Sequence, residues 1–250
     1  MRIAYYYNEE WEKEFVSSQF PEDTFNFFKG PSSSNPDAED AEAEVLSVFV
    51  NTKVDANLLD KFPKAKLVAT RGTGFDHVDV AEVARRGGVT VNVPAYGEHT
   101  VAEFAMALLL ALSRRIYNAY RRIETTGSFD QEGLRGFDLL GRTIGIVGTG
   151  HIGVHMITMA KAFGMDVIAF DVHQDETLAS SLGFRYVSFD ELLSSSDVIS
   201  LHAPYNLHTH HMINQENVGR IKRGAYLINT ARGRLVETAA LVSGLRDGII

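Results

Sequence analysis

Cysteine is absent from the 250 residues, and with it go disulfides, thiolate zinc sites, iron–sulfur clusters and cysteine nucleophiles. Excess positive charge is absent too. The 24 Lys and Arg stand against 32 Asp and Glu, a formal net charge of −8, which argues against nucleic acid or an anionic membrane as the main partner. An acidic protein can still hold an anionic cofactor, because helix N-termini and backbone N–H groups bind phosphate without net positive charge. The first residues, Met1–Glu10, lack the apolar stretch of a signal peptide. The longest greasy run, Phe104 to Leu112, is too short to span a bilayer and reads as buried helix. The expected compartment is therefore the cytoplasm. Internal repeats and low-complexity tracts are also missing.

What is present is the composition of an ordinary globular protein, 45% hydrophobic and 22% charged. Apolar, β-branched runs at Arg2–Tyr7, Val45–Val50, Leu67–Thr70 and Val89–Val93 alternate with helical or turn-rich segments. That alternation predicts a parallel sheet with crossover helices. Glu9–Ser18 reads as helix, Gly30–Pro36 as loop, and the acidic Ala38–Glu44 as a solvated helix face. From His99 to Tyr120 the chain predicts one long helix, apolar almost all round in its first half and hence buried between domains or at a subunit interface. A second series follows, with strands at Thr143–Val147, Val167–Phe170, Tyr186–Val187, Val198–His202 and Tyr226–Asn229. Two α/β domains are expected, residues 1–98 and 99–250.

The second series opens on Gly148-Thr149-Gly150-His151-Ile152-Gly153. Gly-x-Gly-x-x-Gly alone is a weak signal, but here a strand runs into it and a helix, Ile152 to Gly164, runs out. In that context the glycines permit a tight turn, approach of a pyrophosphate to the backbone and close helix–strand packing. The pyrophosphate would sit on the helix N-terminus. The next strand ends in Asp171, 23 residues after Gly148. A carboxylate there accepts hydrogen bonds from the adenosine ribose hydroxyls and repels a 2′-phosphate. Val172-His173-Gln174 offers no Arg or Lys to neutralise that phosphate, so the expected cofactor is NAD rather than NADP.

Further segments, Pro94-Ala95-Tyr96, Thr100-Val101-Ala102-Glu103, Ser200-Leu201-His202-Ala203-Pro204 and Asn229-Thr230-Ala231-Arg232-Gly233, resemble the D-isomer-specific 2-hydroxyacid dehydrogenases, most closely their D-lactate branch. The resemblance covers nearly the whole chain and implies a flavodoxin-like N-terminal domain, a Rossmann NAD-binding domain, an active cleft between them hinged near Glu98 and Thr100, and a homodimer. It implies interconversion of pyruvate and D-lactate, with Arg232 gripping the substrate carboxylate and polarising the keto oxygen. A guanidinium can do the first through two hydrogen bonds, although an Arg here is also compatible with a surface salt bridge. Arg71-Gly72-Thr73-Gly74-Phe75-Asp76 resembles the family's carboxylate-holding turn, giving Thr73 and Gly74 as substrate contacts; a plain strand-to-helix turn is the alternative. Tyr96 resembles the tyrosine lining the substrate pocket of the D-lactate branch. By the same matching Thr100, His151, Ile152, Ala203, Pro204, Thr209, Thr230 and Ala231 join Gly148, Gly150, Gly153 and Asp171 around the cofactor.

The resemblance also implies a catalytic histidine and a glutamate that raises its pKa, both downstream of the Arg232 motif. The sequence stops at Ile249-Ile250, so a C-terminally truncated dehydrogenase with impaired turnover is expected. His202, at a strand end, is the one upstream candidate acid. His208, His210 and His211 have no acidic or cysteine partner at ligand spacing, so no metal is expected. His77 and His99 read as turn and helix-cap residues. The alternatives are a non-catalytic NAD(H)-binding homologue and a dehydrogenase for another 2-hydroxy acid.

Overall fold

In the computed structural model, which describes residues 1–250, contacts divide the chain into two units, Met1–Tyr96 and Gly97–Ile250. In the first, the strands β1 (Arg2–Tyr7), β2 (Thr24–Lys29), β3 (Val45–Val48), β4 (Leu67–Thr70) and β5 (Val89–Val91) pair in the order β2-β1-β3-β4-β5, all parallel. This is the flavodoxin-like order. Tyr6, Leu46, Val48 and Val68 meet Leu58, Leu59, Phe62 and Val83 on one face. Tyr5, Tyr7, Phe25 and Phe27 gather on the other, beside helix α1 (Glu10–Gln19). Helices α2 (Ala56–Leu59) and α3 (Val80–Arg85) are capped by the carboxylates of Asp55 and Asp79, the usual use of Asp at a helix start.

The second unit starts with α4 (Glu98–Ser113) and α5 (Ile116–Thr126). Strands β6 (Thr143–Val147), β7 (Asp166–Phe170), β8 (Arg185–Tyr186), β9 (Val198–Leu201) and β10 (Tyr226–Asn229) then pair, all parallel, as β10-β9-β6-β7-β8. Counted within the unit this is the Rossmann order, with its reversal between β6 and β9. Between the strands lie α6 (His151–Ala162), α7 (Glu176–Leu182) and α8 (Phe189–Ser195), and α9 (Thr238–Arg246) follows β10. Ile144, Ile146, Val167 and Val198 point to α4 and α6; Val147, Ile168, Ile199 and Leu201 point to α8. The strands are apolar on both faces because helices cover both, as a parallel sheet requires.

Three sequence expectations need correction. The long helix from His99 is two helices, broken where Arg115 adopts a left-handed φ of 55°. The carbonyl of Ser113 bonds the N–H of Phe137 at 3.0 Å instead of continuing the helix. That helix is also not buried all round: Ala102, Ala105, Met106 and Leu109 are buried, whereas Phe104, Leu108 and Leu112 form an exposed row four residues apart. Ala38–Glu44 is irregular rather than helical and not wholly solvated, since Asp40 is 6% exposed and bound by Arg2 at 2.8 Å. The edge strand β2 had no counterpart in the sequence reading.

Candidate functional site

Register places the expected cofactor residues on one edge. Val147 pairs with both Phe170 and Leu201, and Leu201 pairs with Asn229. The residues that follow these strand ends, Gly148, Asp171, His202 and Thr230, therefore leave the sheet side by side at its carboxyl edge. This is where open α/β sheets bind ligands.

The glycine turn shows what each glycine does. Gly148 has φ +94°, and a Cβ on it would lie 2.9 Å from the backbone of His202 and Ala203. Its N–H donates to the carbonyl of Phe170 at 2.9 Å, while Val147 accepts the N–H of His202 at 2.8 Å. A Cβ on Gly153 would stand 2.0 Å from the Gly148 carbonyl oxygen, so α6 rests directly on the turn. Gly150 differs, because a Cβ there meets nothing within 4 Å. This open space faces the first turn of α6, where backbone N–H groups have no intrahelical acceptor. Exposed His151 and partly buried Ile152 begin that turn. The cradle fits a dinucleotide pyrophosphate.

Asp171 completes the turn. Its Oδ2 accepts the N–H of Thr149 at 2.7 Å and the Thr149 hydroxyl at 3.1 Å, and its Oδ1 accepts the N–H of His173 at 2.9 Å. Partial burial opposes its charge, but these donors prevail and hold the carboxyl below its usual range. Ala203 is buried and Pro204 exposed. The Thr209 hydroxyl donates to the carbonyl of Pro204 at 2.7 Å and accepts the N–H of Asn206 at 2.8 Å, so it pins its own loop. Past β10, the Asn229 side chain brackets the next turn: Oδ1 accepts from the N–H of Ala231 at 3.1 Å, and Nδ2 donates to the carbonyl of Arg232 at 2.9 Å. The Thr230 hydroxyl oxygen is buried without a protein partner, an atom that a bound ligand would satisfy. Arg232, partly buried, precedes the 3-10 turn Gly233–Leu235 and donates from Nη1 to Ala231 at 3.0 Å. Thr100 lies in the first turn of α4, whose His99 ring is 6.3 Å from that of His155 on α6.

In the first unit, Thr73 and Gly74 follow β4 and Tyr96 follows β5, all past the carboxyl edge of that sheet. The two loops are tied together: Asn92 Nδ2 donates to the Thr73 carbonyl at 2.8 Å, and Val93 N–H to Gly72 at 3.1 Å. Tyr96 is exposed. The sequence reading gave no role to Arg71, which anchors this turn from behind. Its guanidinium reaches Ser47 Oγ at 2.9 Å, the Tyr6 carbonyl at 2.5 Å and Glu12 at 3.3 Å, and lies 4.1 Å from the centre of the Tyr5 ring.

The histidines sort by environment. His202 is partly buried, with Nε2 2.9 Å from the Ser200 hydroxyl, and desolvation pushes its pKa down to about 4. A ring with so low a pKa is neutral at physiological pH, which counts against it as a proton donor. His210 and His211 stack on each other at 3.8 Å, and His210 Nδ1 is 3.0 Å from the Tyr205 hydroxyl. His77 lies in a turn with Nε2 3.0 Å from the Thr70 hydroxyl. No helix is long and apolar enough to cross a membrane.

Comparison with known proteins places this geometry. The sequence model for the D-isomer specific 2-hydroxyacid dehydrogenase, NAD binding domain, matches residues 106–250. A 2-hydroxyacid dehydrogenase homolog from Zymomonas mobilis is 42% identical over 208 residues, covering 82% of this chain and 62% of the relative. A glyoxylate reductase from Korarchaeum cryptofilum is 37% identical, covering 84% of this chain and 64% of that protein. The chain thus spans just under two thirds of the length of these relatives. Among solved structures, D-lactate dehydrogenase from Aquifex aeolicus, complexed with NAD and lactic acid, superposes with a TM-score of 0.90 at 36% identity over 99% of this chain and 74% of that one.

Proposed function

Since the chain belongs to the D-isomer specific 2-hydroxyacid dehydrogenase family and carries its NAD binding domain, with NAD as cofactor, we propose that it serves the interconversion of pyruvate and D-lactate. The observation that carries this reading is the shared carboxyl edge, where the glycine turn, Asp171 and the Thr230–Arg232 segment emerge from neighbouring strands. Gly148, Gly150 and Gly153, with His151 and Ile152, hold the pyrophosphate; Asp171 takes the adenosine ribose; Thr100, Ala203, Pro204, Thr209, Thr230 and Ala231 line the remainder. Bound NADH supplies the hydride. Arg232 grips the substrate carboxylate and polarises its keto oxygen, because a guanidinium presents two parallel donors. Within the first unit, the backbone N–H groups of Thr73 and Gly74 are the substrate-carboxylate contacts this reading assigns, and Tyr96 is the residue it assigns to favouring a small keto acid.

A protonated group must still deliver a proton to the nascent alkoxide, and the neutral His202 does not meet that need. This favours a second reading of the 250-residue polypeptide taken by itself: a binder of NADH that turns over slowly. Mixing it with NADH and pyruvate, then with glyoxylate and a branched 2-oxo acid, and following NADH absorbance tests both. Tight NADH binding with slow oxidation is expected, fastest with pyruvate. Rapid oxidation would reveal a proton donor among these residues, and a clear preference for another acid would overturn the pyruvate assignment.

We also propose a homodimer through the second unit. Phe104, Leu108 and Leu112 on α4, with Tyr117 and Tyr120 on α5, are large apolar side chains left exposed, a patch of the kind that marks an interface. Leu108→Asp should shift the sedimenting species from dimer to monomer with the fold retained. A wild-type monomer, or a dimer indifferent to the change, would rule out this surface.

A further inference from the structure

Tyr186 lies outside every motif that pointed to the cofactor, yet its hydroxyl reaches the glycine turn. It ends β8, a two-residue edge strand paired to β7 with Tyr186 opposite Ala169. The ring is held edge-on against Phe184, centroids 5.1 Å apart. Its Oη lies 3.0 Å from Thr149 Oγ1 and accepts the N–H of Asp175 at 3.3 Å.

Proton counting sets the direction of this chain. Ionised Asp171 only accepts, so the Thr149 hydroxyl spends its one proton on Oδ2. Tyr186 must then donate to Thr149, and its own oxygen is left to accept from Asp175. The sequence Asp175 N–H to Tyr186 Oη, to Thr149 Oγ1, to Asp171 Oδ2 runs one way, so each bond polarises the next. It also ties three elements to one carboxylate: the cap of α7, the edge strand β8 and the glycine turn.

We propose that Tyr186 is a positioning residue for the adenosine ribose, acting through Thr149 to fix the rotation of the Asp171 carboxylate and thereby to set the preference for NAD over its 2′-phosphorylated form. This rests on the assignment of Asp171 to that ribose. A carboxylate fastened along one edge presents its other lone pairs in a constant direction, which suits two ribose hydroxyls. It also cannot swing away from a 2′-phosphate, so the repulsion between the two anions is kept. Released from Tyr186, the Thr149 hydroxyl can rotate off Oδ2, and the carboxylate, left with the backbone N–H groups of Thr149 and His173 alone, gains freedom to turn from the phosphate.

The test compares dissociation constants for NADH and NADPH, read by nicotinamide fluorescence, in the 250-residue chain and its variants. Tyr186→Phe removes one hydroxyl and keeps the ring; NADH should weaken about threefold to tenfold, the range expected for one hydrogen bond. NADPH should weaken less or not at all, so the preference narrows. Thr149→Val keeps the backbone N–H and should act alike, and the double variant should be no worse than either single one, because all break the same chain. If both dissociation constants rise together and their ratio holds, Tyr186 is only structural and the proposal fails. Asp171→Asn separates the two levels of inference. Should it erase the preference while Tyr186→Phe and Thr149→Val leave it intact, only the positioning role falls; should it leave the ratio untouched, the ribose assignment falls as well. Thr149→Val carries the test if Tyr186→Phe fails to fold.

Discussion

Replacing Gly153 by alanine is expected to weaken NADH binding by about a hundredfold or more and to destabilise the second unit by about 3 kcal/mol, the upper range for overpacking. The new Cβ would stand 2.0 Å from the Gly148 carbonyl oxygen and 3.0 Å from its carbon. Both are backbone atoms of the turn, so no side chain can give way. Either α6 lifts from β6 or the turn deforms, and in both cases the helix N-terminus loses the placement proposed for holding the pyrophosphate. Gly150→Ala is the informative companion. Gly150 has φ −68° and ψ −173°, a conformation open to alanine, and free space around it. That variant should melt like the parent and still bind NADH weakly, because its methyl group would fill the space proposed for the pyrophosphate. Cofactor titration and thermal unfolding of the two proteins check this, and normal NADH affinity in Gly153→Ala would refute the description of the turn.

The second large effect is a loss of stability in mild acid. His202 titrates near 4 in the folded protein because burial disfavours its charged form, against 6.5 for an ordinary histidine. The unfolded chain therefore binds this proton as pH falls through about 6.5, and the native chain does so only near 4. Stability is insensitive to this group above pH 6.5 and declines from there down to about 4, by about 3 kcal/mol in all. Several carboxylates held below their usual range, Asp40, Asp171 and Asp197 among them, begin to cost stability only at the lower end of that window. Denaturant unfolding at pH 7 and pH 5 isolates the histidine when wild type is compared with His202→Gln. The wild type should lose more between the two pH values. Equal losses would mean that His202 is charged in the fold or does not govern the acid limb.

Much of the cofactor edge was legible because its signals are local. A strand entering Gly148, a helix leaving Gly153 and an acid at the end of the next strand are fixed offsets along one βαβ unit, and periodicity locates each part. The strands β6 and β10 could be read to the residue for the same reason: β-branched runs bounded by turn residues are properties of short windows. Other features depended on atoms distant in sequence. The break at Arg114–Arg115 has neither glycine nor proline to announce it; the Ser113 carbonyl turns to Phe137 instead. Asp40 is held by Arg2, 38 residues away, so an acidic stretch that resembles a solvated surface contributes a largely buried carboxylate.

The sequence by itself determined the class of the fold and the strand, glycine turn and helix of the β6–α6 unit, with Asp171 at the end of the next strand and no cation directly after it. Tertiary structure alone decided how that carboxylate is held and how far the pKa of His202 falls. Tyr186 lies 37 residues from Thr149 and meets it only because β8 pairs with β7. The His202 pKa falls to about 4 only because the folded sheet and its helices take water away from it. Hydrogen bonding across strands and desolvation are properties of neighbours in space, and a linear pattern records neither.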